Sequence, residues 1–364
     1  MQRSTLSSRR IFSRRRASPS KMVLMLIPAL LILYSLLPAG RSTRSRPPPD
    51  PTYGLLDETS AARRLAIATF LTAGDSDSGS GSGSAVSASE FLSNPYFAAT
   101  RTLLHQLLHG AETRINASSA GADVDVDVVV LVTPDVPPEA RLQLSREGAV
   151  VIQAQPIPLR WWVRTGVTRW KDQFLKLRLL EQTQYKRLLF IDADTLLTSR
   201  VDALLAEPEV ALPAPTLHGR SRPDEIPLLP AQYVFAARSN NQFTGERGHP
   251  FPPLNADLFS AGFWAAAPSA ELFAYLLSVM DHYRRFDPHT MEQSLLNYAF
   301  RRGGPMPWRE LHYRWSATWP SGRDLAGGVV SLHDKFWKTG PEELQALWAR
   351  RRDEMERYWS EHAT

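Results

Sequence analysis

Apolar residues in this 364-residue chain gather into short unbroken runs, and between the runs they recur at helical spacing. Leu65–Leu71, Val124–Val132, Ala149–Ile152, Leu188–Ile191, Leu258–Ala267 and Val329–Leu332 read as strands. Strands that scarcely alternate are buried on both faces. Helices are expected over Tyr96–His109, where Leu103, Leu104, Leu107 and Leu108 share one side, and over Trp170–Tyr185, an amphipathic stretch carrying Lys176. Ser269–Tyr283 and Met291–Ala299 follow as helices, and Pro341–Glu361 is a charge-laced one that packs back on the domain. Strand and helix alternate through about residue 213, the pattern of an α/β domain whose mostly parallel sheet is joined by crossover helices. Thr216–Pro253 breaks the rhythm. Rich in Pro, Asn and Gly, it reads as a long irregular segment over the sheet's edge, suited to an acceptor-binding role.

Outside that pattern the N-terminal portion behaves differently. Arg3, Arg9, Arg10, Arg14, Arg15, Arg16 and Lys21 form a basic tail over 1–21, followed by an uncharged apolar run over 22–38. Two readings fit the run: an uncleaved signal anchor, or a signal peptide cut near Ala39-Gly40. An anchor with a basic cytoplasmic tail puts the remaining chain in the lumen, so the expectation is a single-pass type II protein of the Golgi or endoplasmic reticulum. Residues 39–62, with Pro47-Pro48-Pro49 and Pro51, read as an extended stem. A Gly/Ser stretch over 74–90 interrupts the domain assigned to 63–340, and residues 341–364 carry the last helix. The net charge of +5 comes from the tail. Without its seven basic residues the chain holds 35 basic against 37 acidic ones, so no nucleic-acid partner is expected. With no cysteine, thiolate metal sites are excluded. Asn116-Ala-Ser118 is a glycosylation acceptor compatible with a lumenal domain.

The chemistry centres on Asp192-Ala-Asp194, where the Leu188–Ile191 strand ends. Ligands of open α/β sheets bind at the carboxyl ends of strands. Two acids one residue apart suit Mg²⁺ or Mn²⁺, which take oxygen ligands and keep positions open for phosphate. A helix cap would explain one of the acids but not both. His105 and His109 are also spaced as ligands on a helix, although no third ligand lies nearby in sequence. Trp161, Trp162, Trp308, Trp315 and Trp319 admit two roles, packing or stacking on acceptor sugars.

These motifs resemble the glycogenin-type family, family 8 of the retaining glycosyltransferases, over roughly residues 65–340, in a membrane-anchored, fungal-like form. The resemblance is carried most specifically by Phe174–Leu197, a Lys-Leu helix, a Tyr and an apolar strand into D-x-D. Val129–Pro134, Phe259–Ser269, Glu292–Asn297 and His333-Asp-Lys335 are similar to further family segments. It implies a GT-A, Rossmann-like domain that uses a UDP-sugar and Mn²⁺ (or Mg²⁺) to glycosylate a glycan or glycoprotein acceptor. Asp192, Asp194 and His333 would hold the metal. Phe70, Tyr96, Lys176, Ala193, Ser260 and Lys335 would bind the donor, and Glu292 with Gln293 would approach the sugar.

Several positions depart from the family pattern. Ser260 stands where Asn is usual, Leu175 where Thr or Ser is common, and Glu292 where Asp is usual. Asp334 directly follows His333, so the family's late Gly is out of register. Two other readings remain at this stage. An apolar strand into Asp-x-Asp-x-Thr also opens aspartate-nucleophile phosphatases, and the substitutions would suit a glycosyltransferase-like scaffold without turnover.

Overall fold

The structure, a computed structural model, describes residues 64–73, 87–116, 125–165 and 168–362. The basic tail, the apolar run 22–38, the stem and most of the Gly/Ser stretch lie outside the described residues. Among the described residues no helix is long and apolar enough to cross a membrane.

Seven strands form the main sheet: β1 (Arg64–Leu71), β2 (Asp125–Val132), β3 (Val150–Gln153), β4 (Arg187–Ile191), β8 (Phe235–Ser239), β9 (Phe259–Ala266) and β10 (Arg309–Glu310). Their order is β10-β8-β9-β4-β1-β2-β3, with β9 alone antiparallel to its neighbours. Because the central strands are apolar throughout, each feeds two cores. Ala66, Ala68, Phe70, Leu188 and Phe190 face one side. Leu65, Ile67, Leu71, Leu189 and Ile191 face the other. Helices α1 (Pro95–Leu108) and α2 (Pro138–Arg146) contribute to the second core. The first core is covered by a 3₁₀ helix over Thr168–Glu181 and by α3 (Ala270–Val279) and α4 (Met291–Ala299).

A second sheet decides the position of the two acids. It consists of β5 (Thr195–Leu197), β11 (Ser316–Thr318) and β12 (Ser331–His333), in the order β11-β12-β5. β5 follows the acids at once and runs antiparallel to β12, with Thr195 opposite His333. The buried Gln106 side chain of α1 accepts from Leu197 N at 2.9 Å and ties β5 to the helix. Helix α5 (Glu342–Glu361) closes this third core with Leu344 and Trp348.

Two expectations are corrected, and the His105/His109 spacing leads to no site. Thr216–Pro253 is not an edge segment throughout: it contains β7 (Gln232–Tyr233), paired with β6 (Ala214–Pro215), and β8, a fully buried strand inside the main sheet. Its polar residues misled, since Arg238 is 2% exposed and reads as a loop residue until its partner Glu310 is seen, at 2.5 Å. The expected Trp170–Tyr185 helix is 3₁₀, ends at Glu181, and is buried nearly all round from Phe174 to Leu180 because sheet and helices enclose it. His105 and His109 do not form a metal site: the His109 ring stacks on Tyr358 of α5 at 4.4 Å, and the described residues supply no third ligand.

Candidate active site

Strand β4 delivers Asp192 and Asp194 at its carboxyl end, and β12 delivers His333 beside them. Ligand atoms of the three lie within 4.8 Å of one another, and among the described residues they are the one such cluster. His333 Nε2 is 3.0 Å from Asp194 Oδ1 and 3.7 Å from Asp192 Oδ2. The third wall is β9. Gly262 O accepts from Asp192 N at 2.9 Å. A Cβ at Gly262 would stand 2.5 Å from His333 Cε1 and 2.7 Å from Asp192 Oδ2, so the strand approaches this closely only as glycine. Two carboxylates and an imidazole in a cradle kept clear by glycine fit a divalent cation of the Mn²⁺ type.

Electrostatics follow from this packing. Burial alone would lower the His333 pKa, but Asp194 and then Asp192 outweigh it and raise it to about 9. Burial opposes ionisation of Asp194, yet His333 and Lys335 hold its pKa below the usual carboxylate value. Behind them Lys176, 4% exposed, bridges Asp192 at 2.8 Å and Glu292 at 3.1 Å. Burial disfavours that ammonium, but the two carboxylates more than offset it and raise its pKa. The Glu292 carboxyl is pushed up by burial and by Asp192, against the pull of Lys176, and its Oε2 has no hydrogen-bond partner.

Three cavities meet at this cluster. One of about 510 Å³ is lined by Lys176, Asp192, Ser260, Glu292, Gln293 and His333, with Gln242, His289 and Trp319 also on its wall. Gln293 Oε1 accepts from Ala261 N at 3.0 Å, and Ser260 Oγ accepts from Gly262 N at 3.3 Å. A second, narrower cavity brings Phe70 and Tyr96 together with Ala193, both acids and Lys335, whose Nζ stands 5.4 Å from the Tyr96 ring centre. The helix after the Gly/Ser stretch thus returns Tyr96 to the same corner as β1. A third cavity, about 540 Å³, is shared by Asp194, His333, Asp334, Lys335, Arg247 and Trp319.

The residues assigned to the metal, the donor and the sugar therefore all line these three cavities. Others were missed. Gly262 carried a signal, a glycine inside a buried strand. Met291 was not singled out, whereas Trp319 was named only as a packing or stacking candidate; both line these cavities with positive φ of 55°, a backbone state that sequence does not announce. Of the tryptophans, Trp308 and Trp315 are core residues at 2% exposure, Trp161 is 75% exposed, and Trp319 alone borders the cluster.

Relatives by sequence are distant. An uncharacterized Schizosaccharomyces pombe protein is 27% identical over 289 residues, 70% of this chain and 72% of that protein. Galactinol synthase 1 of Ajuga reptans is 28% identical over 182 residues, 48% of this chain and 51% of that enzyme. Mouse xyloside xylosyltransferase 1 superposes with a TM-score of 0.45 at 14% identity, covering 76% of this chain and 100% of that one. No family profile matches the chain.

Proposed function

We propose that this chain, a glycosyltransferase with an α/β, GT-A-like fold, moves a sugar from a UDP-sugar to a hydroxyl of a glycan or glycoconjugate with retention at the anomeric carbon. The observation that carries the reading is the convergence of Asp192, Asp194 and His333 where two cavities meet, one flanked by aromatic rings and one by polar groups. The galactinol synthase relatives support the reaction class. The narrow cavity takes the nucleotide, with the base between Phe70 and Tyr96 and the backbone of Ala193 near the ribose. The larger cavity takes the donor sugar against Ser260, Glu292 and Gln293.

A divalent cation held by Asp192, Asp194 and His333 supplies Lewis-acid stabilisation of the departing diphosphate. Lys335, exposed at the same corner, adds positive charge where negative charge develops. Lys176 fixes Asp192 and Glu292 relative to each other, so the acid below the sugar is oriented before substrate arrives. As the C1–O bond of the donor ionises, the acceptor hydroxyl adds from the face the diphosphate leaves and passes its proton to the departing phosphate oxygen, giving the glycoside and UDP. The phosphatase reading loses support because the group completing the acid pair is a histidine rather than another carboxylate. We place the reaction in the lumen of the early secretory pathway, on the strength of the basic tail and the apolar run 22–38. Asn116, exposed at the end of its described segment, would then carry a glycan that an endoglycosidase removes.

A panel of UDP-sugars with Mn²⁺, read by UDP release and by the anomeric configuration of the product, tests the proposal. Sugar transfer with retention that stops with EDTA is expected. Release of inorganic phosphate from phosphomonoesters would favour the phosphatase, and silence in both assays the scaffold.

A further inference from the structure

The long excursion between β8 and β9 does more than cover the sheet. Its turn Glu246–Gly248 reaches back to the metal cluster, and Arg247 shares a cavity with Asp194, His333 and Lys335. Arg247 Nη1 is ion-paired with Oδ2 of Asp334, the residue between His333 and Lys335. Asp334 does not depend on that contact, because its Oδ1 already accepts from Lys335 N at 2.8 Å and from Thr339 Oγ1 at 2.6 Å. Nor does the excursion depend on it. His249, fully buried, gives its carbonyl to Arg323 at 2.6 Å, and the buried Asn240 caps the turn before it.

From this arrangement we propose that Arg247 is a ligand of the donor's diphosphate, an inference that rests on the UDP-sugar reading above. A diphosphate arriving here meets the carboxylates of Asp194, Glu246 and Asp334, with Lys335 beside the half-buried Arg247 as the other cation on the cavity wall. A guanidinium is a planar fork: one nitrogen stays on Asp334 while the others face the phosphate oxygens. Arg247 thereby masks the Asp334 charge and adds a cation in one move. Gly245, at φ 114°, and Gly248, with open space where a Cβ would stand, flank the turn and let it adjust by the small amount this requires.

The test is titration of the full chain with UDP and, separately, with uridine, both with Mn²⁺ present. In Arg247→Ala we expect UDP to bind about tenfold to a hundredfold more weakly, the range for a lost charge-assisted hydrogen bond, with uridine affinity unchanged. Arg247→Lys should fall between the two, since it keeps the charge and loses the fork. Equal UDP affinity in Arg247→Ala and the native chain overturns the inference. So does a parallel loss of UDP and uridine, which would mark Arg247 as part of the wall and no more. A native chain that binds uridine but not UDP, or neither, would instead sink the donor reading itself and the inference with it.

Discussion

Gly262 is where a single atom decides the most. Its missing Cβ leaves the space that His333 and Asp192 occupy, so Gly262→Ala must push one of them out of the cluster. The expected result is at least a tenfold loss in Mn²⁺ affinity and about a hundredfold loss in turnover, at nearly unchanged melting temperature; Mn²⁺ titration followed by electron paramagnetic resonance checks it. His333 gives a pH signature. With its pKa raised to about 9, the metal-free imidazole is protonated at neutral pH, and a cation must displace that proton. Mn²⁺ affinity should therefore rise with pH up to about 9, with roughly one proton released per ion at pH 7.5, measurable by calorimetry in two buffers of different ionisation heat. The two acids were legible because carboxylate spacing at a strand end survives in one dimension, and His333 was reached only through the family resemblance. Arg247 was not, because its relevance comes from a turn that folds back onto a distant strand.

At the level of elements, unbroken apolar runs exposed β1 to β4 and β9, since burial on two faces leaves no polar alternation to confuse them. β8 escaped because Arg238 and Ser239 carry the polarity of a loop, and the carboxylate that satisfies both, Glu310, arrives much later in the chain. The contact of α1 with α5 makes its own prediction. Burial, followed by repulsion from His109, lowers the His105 pKa to about 4, while Tyr358 packs on its ring at 5.2 Å. An unfolded chain binds that proton first, near pH 6.5, so stability from neutral His105 is complete above pH 6.5 and is lost as pH falls from there toward 4. Melting at pH 7.5 and pH 5 should differ, by at most about 2 kcal/mol from this group, and His105→Phe should flatten the difference.

Across the molecule, one acid gathers donors from β8 and from the turn after α4. Glu310 receives Arg238 at 2.5 Å, Arg302 at 2.6 Å and Ser239 Oγ at 2.8 Å. Glu310→Gln leaves the buried Arg238 cation without its counter-charge, and urea unfolding should show a loss of about 3 kcal/mol or more. The α/β class and the central sheet could be read from the pattern of residues. In the small sheet only β12 was expected, as Val329–Leu332; β5 and β11 could not be read, because strands of three residues carry no periodicity. It is nevertheless this small sheet that sets His333 against Asp194, through the pairing of Thr195 with His333.

That pairing bears on biosynthesis. A nascent chain emerging from the ribosome presents both aspartates long before the histidine that completes their set, and the last strand must zip onto a partner laid down earlier. Chains released before residue 331 would keep most of the large sheet's strands yet are expected to hold no ion, so cation retention would report whether synthesis had passed His333.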